Sequence, residues 1–270
     1  MTEGGARIRA AFAEAGRPLF MPYLMGGYPD LAESADLLAA AAPHSDLIEL
    51  GIPFSDPLAD GPTIQAAGQK ALETGVRPEA VIELAEGLRG GPPVVLMTYV
   101  NIVLAAGPRA FMERAAKAGV AGVILPDLPI DEGEEVREQA ARAGVAMVPL
   151  AAPTTGDDRL AAIGRRADGF VYCVALTGVT GREVEVDEDL TGFLDRARAR
   201  IDVPLAVGFG IRTPQHVAAI GAIADGVIVG SELVRRIDEA DGNPAAARAA
   251  VEGFCREAVA VLRTETGAPA

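Results

Sequence analysis

Short apolar runs alternate with longer amphipathic segments along the whole chain. The apolar runs hold five to eight residues, the length of β-strands, and the longer segments are rich in Ala, Glu and Arg. The pattern predicts eight strands, over 18–25, 46–52, 93–100, 122–128, 146–152, 169–176, 204–211 and 226–230. It predicts helices over 31–42, 62–74, 78–90, 108–118, 131–143, 156–166, 188–200, 213–221 and 244–263.

Four of the junctions between a helix and the next strand share one layout. In each, Ala-Gly or Ala-Asp-Gly is followed at once by apolar residues, and the glycines are Gly119, Gly144, Gly169 and Gly226. Glycine adopts a left-handed backbone without steric cost, so it is favoured where a helix ends. We therefore expect left-handed caps at these glycines, each followed directly by a strand.

Eight β-then-α units at fairly even spacing fit a closed (β/α)8 barrel, which usually has about 250 residues. The alternative is an open doubly wound sheet, which favours a Gly-rich dinucleotide fingerprint. The nearest candidate, GFGIRTP at 208–214, has only two of the three glycines. We predict an α/β fold with a single TIM-barrel domain over 1–270, in which 1–17 form an N-terminal capping helix and 264–270 a loose tail.

Composition restricts the partners and the compartment. The formal net charge of −14 argues against binding to nucleic acid or to an anionic membrane, although it does not exclude a phosphorylated substrate. The two cysteines, Cys173 and Cys255, form neither a ligand cluster nor a disulfide framework. Because no segment has the character of a signal peptide or the length of a membrane span, we expect a soluble cytoplasmic protein.

One carboxylate stands inside an apolar strand. Glu49 lies in DLIELGI, between residues that are typical of a protein interior. In a barrel, Leu47 and Glu49 would face the lumen, and Glu49 would lie near the end of the strand where barrel enzymes hold their active sites. Burial of an ionised carboxylate is costly, so Glu49 is expected to act in catalysis, or else to pair with a distant arginine.

The other residue types limit the chemistry at that end of the barrel. The two lysines, Lys70 and Lys117, fall on predicted helices, so no lysine is placed for a Schiff base. His44 and His216 fall in a turn and on a helix, without the spacing of metal ligands. We therefore expect neither a metal nor a cofactor on this chain, and proton transfer by paired carboxylates. The candidate carboxylates are Glu49, Asp56, Asp60 and Asp127.

The loops after the seventh and eighth predicted strands indicate a phosphate site. Thr213 is a plausible N-cap with Pro214 at the first helical position, and Ser231 follows Gly230 at the start of another helix. Barrels often bind phosphate at these two loops, on the N–H groups of a helix N-terminus. Gly210 and Gly230 would let the backbone approach the phosphate. The alternative is that these glycines only make tight turns.

Two connections are long for a barrel. PFSDPLADGPT follows the second predicted strand, and TGVTGREVEVDED follows the sixth. Long loops in compact domains are usually lids or partner sites, although a solvated charged loop is the alternative for the second.

With the strands placed, the sequence resembles the tryptophan synthase alpha chain family along essentially its whole length. The resemblance rests on LIELGIPFSDPLADGPTIQ, MTYVNIVLAAG, PDLPIDE, YCVALTGVTG, VGFGI and VGSELV. It implies a lyase of tryptophan biosynthesis that cleaves indole-3-glycerol phosphate to indole and glyceraldehyde 3-phosphate. It also implies an alpha2beta2 tetramer with a beta chain that carries pyridoxal phosphate, contacted through the 53–61 loop, Asn101 and the region of Pro129.

The same resemblance implies residue roles. Glu49 would be the general acid and base, and Asp60 the second catalytic carboxylate. Thr180 would be the threonine that closes the loop after the sixth strand, and Tyr172 would lie near Glu49. The implied substrate-binding residues are Tyr23, Ile64, Met97, Ile124, Tyr172, Thr180, Gly181, Phe209, Gly210, Gly230 and Ser231. A non-catalytic barrel that activates a beta chain, or another phosphosugar enzyme, is the alternative.

Overall fold

A computed structural model describes residues 1–175, 188–208 and 210–265. Its strands are β1 Leu19–Met25, β2 Ile48–Gly51, β3 Val94–Met97, β4 Val120–Ile124, β5 Ala146–Val148, β6 Leu150–Ala151, β7 Val171–Val174, β8 Leu205–Gly208 and β9 Gly226–Val229. Its α-helices are α1 Glu3–Ala15, α2 Leu31–Ala41, α3 Pro62–Glu73, α4 Pro78–Leu84, α5 Val100–Ala106, α6 Pro108–Lys117, α7 Glu134–Ala143, α8 Asp157–Arg166, α9 Glu188–Arg198, α10 Pro214–Gly221, α11 Ser231–Glu239 and α12 Pro244–Glu265.

The strands form a parallel barrel. Their order is β5-β4-β3-β2-β1-β9-β8-β7-β6, so β5 and β6 stand at the two ends of the sheet. Only Pro149 separates β5 from β6 in the chain, and its carbonyl accepts a hydrogen bond from the Tyr172 N–H at 3.0 Å. Since proline has no N–H to donate, it divides the predicted 146–152 strand into two short pieces. The predicted barrel is confirmed, and the described residues contribute nine strand segments to it.

The largest difference from the predicted elements follows β3. The expected strand over 93–100 ends at Met97, and helix α5, which was not predicted, begins at Val100. The Asp127 carboxylate accepts the Val100 N–H at 2.9 Å and so satisfies a donor at the start of this helix. That partner lies 27 residues away in sequence, so local periodicity could not reveal the helix.

The predicted glycine caps are correct at Gly119 and Gly144, which have φ values of +87° and +77° and follow the last turns of α6 and α7. Gly169 also has a positive φ, +93°, but α8 ends with an extended C-cap at Ala167, so this glycine stands two residues beyond the cap. Gly226 instead begins strand β9, where a Cβ atom would lie 2.5 Å from Met21 Cε. The missing Cβ atom at Gly226 leaves room for the end of the Met21 side chain. Helix α12 also continues to Glu265, into the segment that was expected to be a loose tail.

The barrel has two apolar regions, one inside and one between strands and helices. Leu47 and Val95 belong to the inner cluster, together with Ile8 from helix α1. Helix α1 lies close to β4, and a Cβ atom on its Gly4 would be 1.9 Å from the Ala121 carbonyl oxygen. This helix therefore lies directly against the strands. Within the described ranges, no helix is long and apolar enough to cross a membrane.

Candidate active site

Glu49 faces the barrel lumen from strand β2. It pairs in register with Tyr23 on β1 and with Val95 on β3, and Val95 belongs to the inner apolar cluster. The residue is 2% exposed, and neither carboxylate oxygen has a hydrogen-bond partner among the described residues. Burial, and then the negative charge of Asp60, raise the pKa of Glu49 to about 8. The alternative of an ion pair with a distant arginine finds no support in the described part of the chain.

Asp60 supplies the second carboxylate from the loop after β2. The side-chain amide of Gln65, in helix α3, donates to the Asp60 carbonyl at 2.8 Å and fixes the end of this loop. Burial raises the pKa of Asp60 to about 6, while a hydrogen bond with Tyr99 opposes that shift. Both carboxyl groups therefore have pKa values displaced towards neutrality, which suits groups that exchange protons there.

Tyr99 positions the Asp60 loop and was not predicted as a site residue. Its ring stacks on Phe54, with 5.1 Å between the centroids, and its hydroxyl accepts the Ala59 N–H at 3.1 Å. Burial, and then the charge of Asp60, raise the pKa of the Tyr99 hydroxyl, so it stays protonated and can donate to that carboxylate. Tyr99 lies in the MTYVN segment, but the residues around it give no sign of its contact with Ala59, 40 residues away.

The other two candidate carboxylates make different contacts. Asp127 accepts the Val100 N–H and so holds the start of α5. Asp56 is exposed and accepts a hydrogen bond from Ser55 Oγ at 2.5 Å. Asp127 therefore has an anchoring contact, whereas the contact of Asp56 is with its neighbour in the chain. Of the four, Glu49 and Asp60 are the two whose charges act on each other.

Two buried tyrosines flank the carboxylates. Burial comes first among the causes that raise the pKa of Tyr23, followed by the charges of Asp60 and Glu49. For Tyr172, burial is followed by Glu49 and then Asp60. Glycines on adjacent strands make room for both rings: a Cβ atom would lie 2.2 Å from the Tyr23 hydroxyl at Gly51, and 2.1 Å from the Tyr172 hydroxyl at Gly208. The prediction that Tyr172 lies near Glu49 agrees with this arrangement.

Three of the residues that were predicted to contact the indole ring are apolar: Met97, Ile124 and Ile64. Met97 is in register with Gly51 on one side and with Ile124 on the other, so the three residues lie side by side across the strand ends. Ile124 is buried in the inner cluster, and Met97 contacts both apolar regions. Ile64 is buried in the first turn of α3, just after the Asp60 loop.

The predicted phosphate loops start two helices. Thr213 caps α10 by accepting the His216 N–H at 3.2 Å, and Pro214 occupies the first turn, as expected. Gly210 has a φ of +73°, which favours glycine. At α11, Gly230 takes the N-cap position without a side-chain cap, so no side chain satisfies the first N–H groups there among the described residues. Thr180, Gly181 and Phe209 lie outside the described residues.

The groups needed for other chemistries are elsewhere. Lys70, on α3, binds Asp238 at 3.0 Å, and Lys117 lies on α6. His44 lies in a short 3-10 helix, 3.7 Å from Glu252. In the part of the chain that the structure describes, no group of three His, Cys, Asp or Glu side chains could hold a metal ion.

Comparison with known proteins assigns the family. The family model of the tryptophan synthase alpha chain matches residues 10–262. The tryptophan synthase alpha chain of Carboxydothermus hydrogenoformans is 46% identical over 239 residues, covering 86% of this chain and 90% of the relative. That of Roseiflexus sp. (strain RS-1) is 45% identical over 251 residues, covering 90% and 96%.

Solved structures agree with these relatives. Tryptophan synthase subunit alpha from Legionella pneumophila superposes with a TM-score of 0.88 at 30% identity, covering 98% of this chain and 99% of that one. Tryptophan synthase from M. tuberculosis in an aminoacrylate-bound form superposes with a TM-score of 0.85 at 33% identity, covering 95% and 99%. The chain thus belongs to the tryptophan synthase alpha chain family, which cleaves indole-3-glycerol phosphate to indole and glyceraldehyde 3-phosphate.

Proposed function

We propose that Glu49 and Asp60 together perform this retro-aldol cleavage. Breaking the bond between indole C3 and the glycerol carbon requires a proton on C3 and the loss of a proton from the adjacent hydroxyl, which becomes the aldehyde oxygen. The bonding electron pair returns to the indole ring as indole leaves. The observation that carries the proposal is the buried Glu49 carboxyl, whose oxygens have no partner among the described residues and whose pKa is raised to about 8 beside Asp60.

Glu49 acts as the general acid and base. At neutral pH a carboxyl group with this pKa carries a proton that it can give to C3, and the carboxylate that remains can accept the hydroxyl proton. An exposed glutamate, with a pKa near 4.3, would seldom hold a proton at that pH. The buried lumen position therefore provides both protonation states under one set of conditions.

Asp60 stabilises the charge that develops on the ring. Protonation of C3 places positive charge towards N1, and a carboxylate near the N1–H lowers the energy of that state. Asp60 has the lower pKa of the two, about 6, so it is the group that is ionised at neutral pH. Tyr99 supports this role by bonding the carboxylate and holding the loop that carries it.

The remaining predicted residues bind the two ends of the substrate. Gly210, Gly230 and Ser231 hold the phosphate through backbone N–H groups at the starts of α10 and α11, where a helix terminus favours an anion. Tyr23, together with Ile64, Met97, Ile124 and Tyr172, surrounds the indole ring. Thr180, Gly181 and Phe209 join these sets by family resemblance alone.

A beta chain is the proposed partner, in an alpha2beta2 tetramer with pyridoxal phosphate on the beta chain, in the cytoplasm. Two large apolar side chains are exposed at this end of the barrel: Leu58, 89% exposed in the Asp60 loop, and Leu104, 53% exposed on α5. Asn101 is exposed on the same helix. Together with the family resemblance, these exposed apolar side chains favour burial against another protein, here at the 53–61 loop, α5 and Pro129. Size-exclusion chromatography at micromolar concentration should show co-elution with the cognate beta chain, and separate elution would contradict the partnership.

The assay that tests the proposed roles is indole release from indole-3-glycerol phosphate by the purified chain. Wild type should release indole, while Glu49→Gln and Asp60→Asn should each lose roughly 10²–10⁴-fold in turnover, the usual contribution of a general acid or base. Substrate affinity should change much less. Near-wild-type turnover in Glu49→Gln would overturn the assignment, and full beta-chain activation without any indole release would indicate a non-catalytic subunit.

A further inference from the structure

A cavity in the barrel is lined by residues other than Glu49 and Asp60. It has a volume of about 150 Å³ and is lined by the 125–130 segment after β4, by β5 and β6, and by side chains of α7 and α8. Its walls combine apolar residues, with Leu125, Ile130 and Ile163 among them, and polar groups. None of the proposed catalytic or substrate-binding residues lines this cavity. The space therefore does not belong to the site described above.

Arg137, on helix α7, contributes an unsatisfied cation to this cavity. Its side chain is 14% exposed, and two guanidinium nitrogens, Nε and Nη2, are buried without a hydrogen-bond partner among the described residues. The carboxylate oxygen of Glu134 lies 3.9 Å from Nε, beyond hydrogen-bond distance. Burial, and then the charge of Arg166, lower the pKa of Arg137. A buried donor without a partner is destabilising, so the position favours an acceptor that comes from outside.

Two further arginines line the same space. Arg166 donates from Nη1 to the Ile130 carbonyl, and its Nη2 lies 4.0 Å from Glu134 Oε2. Arg159 lies with its Nη1 3.8 Å from Asp131 Oδ2. The two acidic side chains are 71% and 70% exposed, respectively, so they lie at the rim in water and not inside. Three guanidinium groups thus line one cavity in a chain whose net charge is −14.

We propose that this cavity binds a small organic anion, a carboxylate or phosphate ester on a compact apolar body. The anionic group would accept from Arg137 Nε and Nη2, which present two N–H donors in the forked geometry that matches a carboxylate. The apolar body would contact the aliphatic and proline walls. A cavity of roughly this volume has room for a benzene-sized group. The ligand class is therefore a monocyclic or short branched acid.

The test uses the full chain with benzoate as the probe and benzamide as its neutral counterpart. Side-chain ¹⁵N NMR reports on the Arg137 Nε–H, which is identified by the loss of its resonance in Arg137→Lys. Benzoate should shift this resonance saturably, and benzamide should not. Equal responses to both compounds, or no response to millimolar benzoate, would overturn the proposal.

Calorimetry with matched variants locates the binding. Arg137→Met should weaken benzoate binding roughly 10- to 100-fold, the usual effect of losing a charged hydrogen bond. Arg142→Met is the control, because Arg142 lies on the same helix, bonds Glu138 at 3.2 Å and does not line the cavity. Arg159→Met tests the rim at a half-exposed side chain, and should weaken binding several-fold even if Arg137→Met fails to fold.

Because Pro129 both lines the cavity and belongs to the proposed beta-chain interface, a competition distinguishes a small anion from a partner side chain as the occupant. Addition of the cognate beta chain should leave the benzoate-dependent shift of Arg137 intact. If the beta chain itself shifts the Arg137 resonance and displaces benzoate, a partner side chain occupies the cavity and the small-anion proposal is wrong. Indole release does not enter this test, so its outcome is independent of the catalytic roles proposed above.

Discussion

The hydroxyl of Tyr172 lies where a side chain at Gly208 would have to begin. A Cβ atom at Gly208 would be 2.1 Å from the Tyr172 Oη and 2.6 Å from its Cζ. The two residues stand on adjacent strands, β7 and β8, at the mouth of the lumen. Tyr23 has the same relationship with Gly51, at 2.2 Å. Glycine at these two strand ends therefore allows both tyrosines to face the carboxylates.

Gly208→Ala should displace the Tyr172 ring and reduce indole release. No ordinary Cβ contact is as short as 2.1 Å, so the ring must move within a packed lumen. We expect a loss of kcat/KM on the order of 10- to 100-fold, as is typical of a misplacement of about 1 Å in a site. Overpacking should lower the free energy of unfolding by roughly 1–3 kcal/mol. Steady-state kinetics and urea unfolding measure the two effects.

Gly192→Ala is the matched control for that substitution. Gly192 lies in helix α9 with open space around its missing Cβ atom. Alanine there should leave kcat/KM unchanged and raise the free energy of unfolding by roughly 0.5–1 kcal/mol. If both variants behaved alike, the clash with Tyr172 would not explain the loss of activity.

Asp60→Asn should lower the pKa of Glu49. The negative charge of Asp60 is one of the two causes that raise this pKa to about 8, and an uncharged amide removes it. Burial remains, so the pKa should stay above its ordinary value of 4.5. The measurement is the ¹³C chemical shift of the Glu49 carboxyl carbon as a function of pH, with Glu49→Gln to assign the signal.

Asp56→Asn provides the comparison for this titration. Asp56 belongs to the same loop but is exposed and bonds to Ser55, so its charge is screened by water. The Glu49 titration curve should not move in this variant. A Glu49 pKa that is unchanged in Asp60→Asn would mean that the two carboxylates are not coupled.

Local sequence patterns were sufficient to predict the barrel and the position of Glu49 in its lumen. Apolar runs with helical segments between them predicted the eight strands of the barrel, because a buried parallel strand is apolar on both faces. The same alternation placed Glu49 on the lumen side with Leu47, and the structure agrees through the register with Val95. Thr213 and Pro214 predicted the start of a helix from neighbouring residues alone, and α10 begins there.

Contacts between distant segments were the part that the sequence did not reveal. Tyr99 meets Ala59 across 40 residues, and Asp127 meets Val100 across 27. The roles of Gly51 and Gly208 depend on the size of a tyrosine on the next strand, so neither can be inferred from its own strand. Such relationships require the register between strands, which periodicity within one strand does not specify.

Tyr99→Phe should raise the pKa of Asp60 and reduce turnover. The Tyr99 hydroxyl bonds the Asp60 carboxylate and favours its charged form, so its loss leaves the burial of Asp60 less compensated. The acidic limb of the kcat/KM profile for indole release should move to higher pH. Tyr28→Phe removes a hydroxyl that bonds Asp238 on helix α11, away from the pair, and should leave the profile unchanged. An acidic limb that stays in place in Tyr99→Phe would contradict the assigned contact.

Glu49→Gln should become more stable relative to wild type as the pH rises from about 4.5 to about 8. In this range the unfolded chain loses the Glu49 proton, whereas the folded chain retains it because burial raises the pKa. The folded state then binds more protons, so wild-type stability falls with rising pH, and the loss is complete above the folded pKa. Glutamine cannot ionise and escapes this loss. Asp60 shifts in the same direction, but it is present in both proteins and largely cancels in their difference.

Urea unfolding at a series of pH values should show a difference that grows by a few kcal/mol, since each pKa unit is worth about 1.4 kcal/mol. A constant difference for Glu49→Gln would mean that the folded chain holds Glu49 ionised at neutral pH, and its role as a proton donor would have to be abandoned.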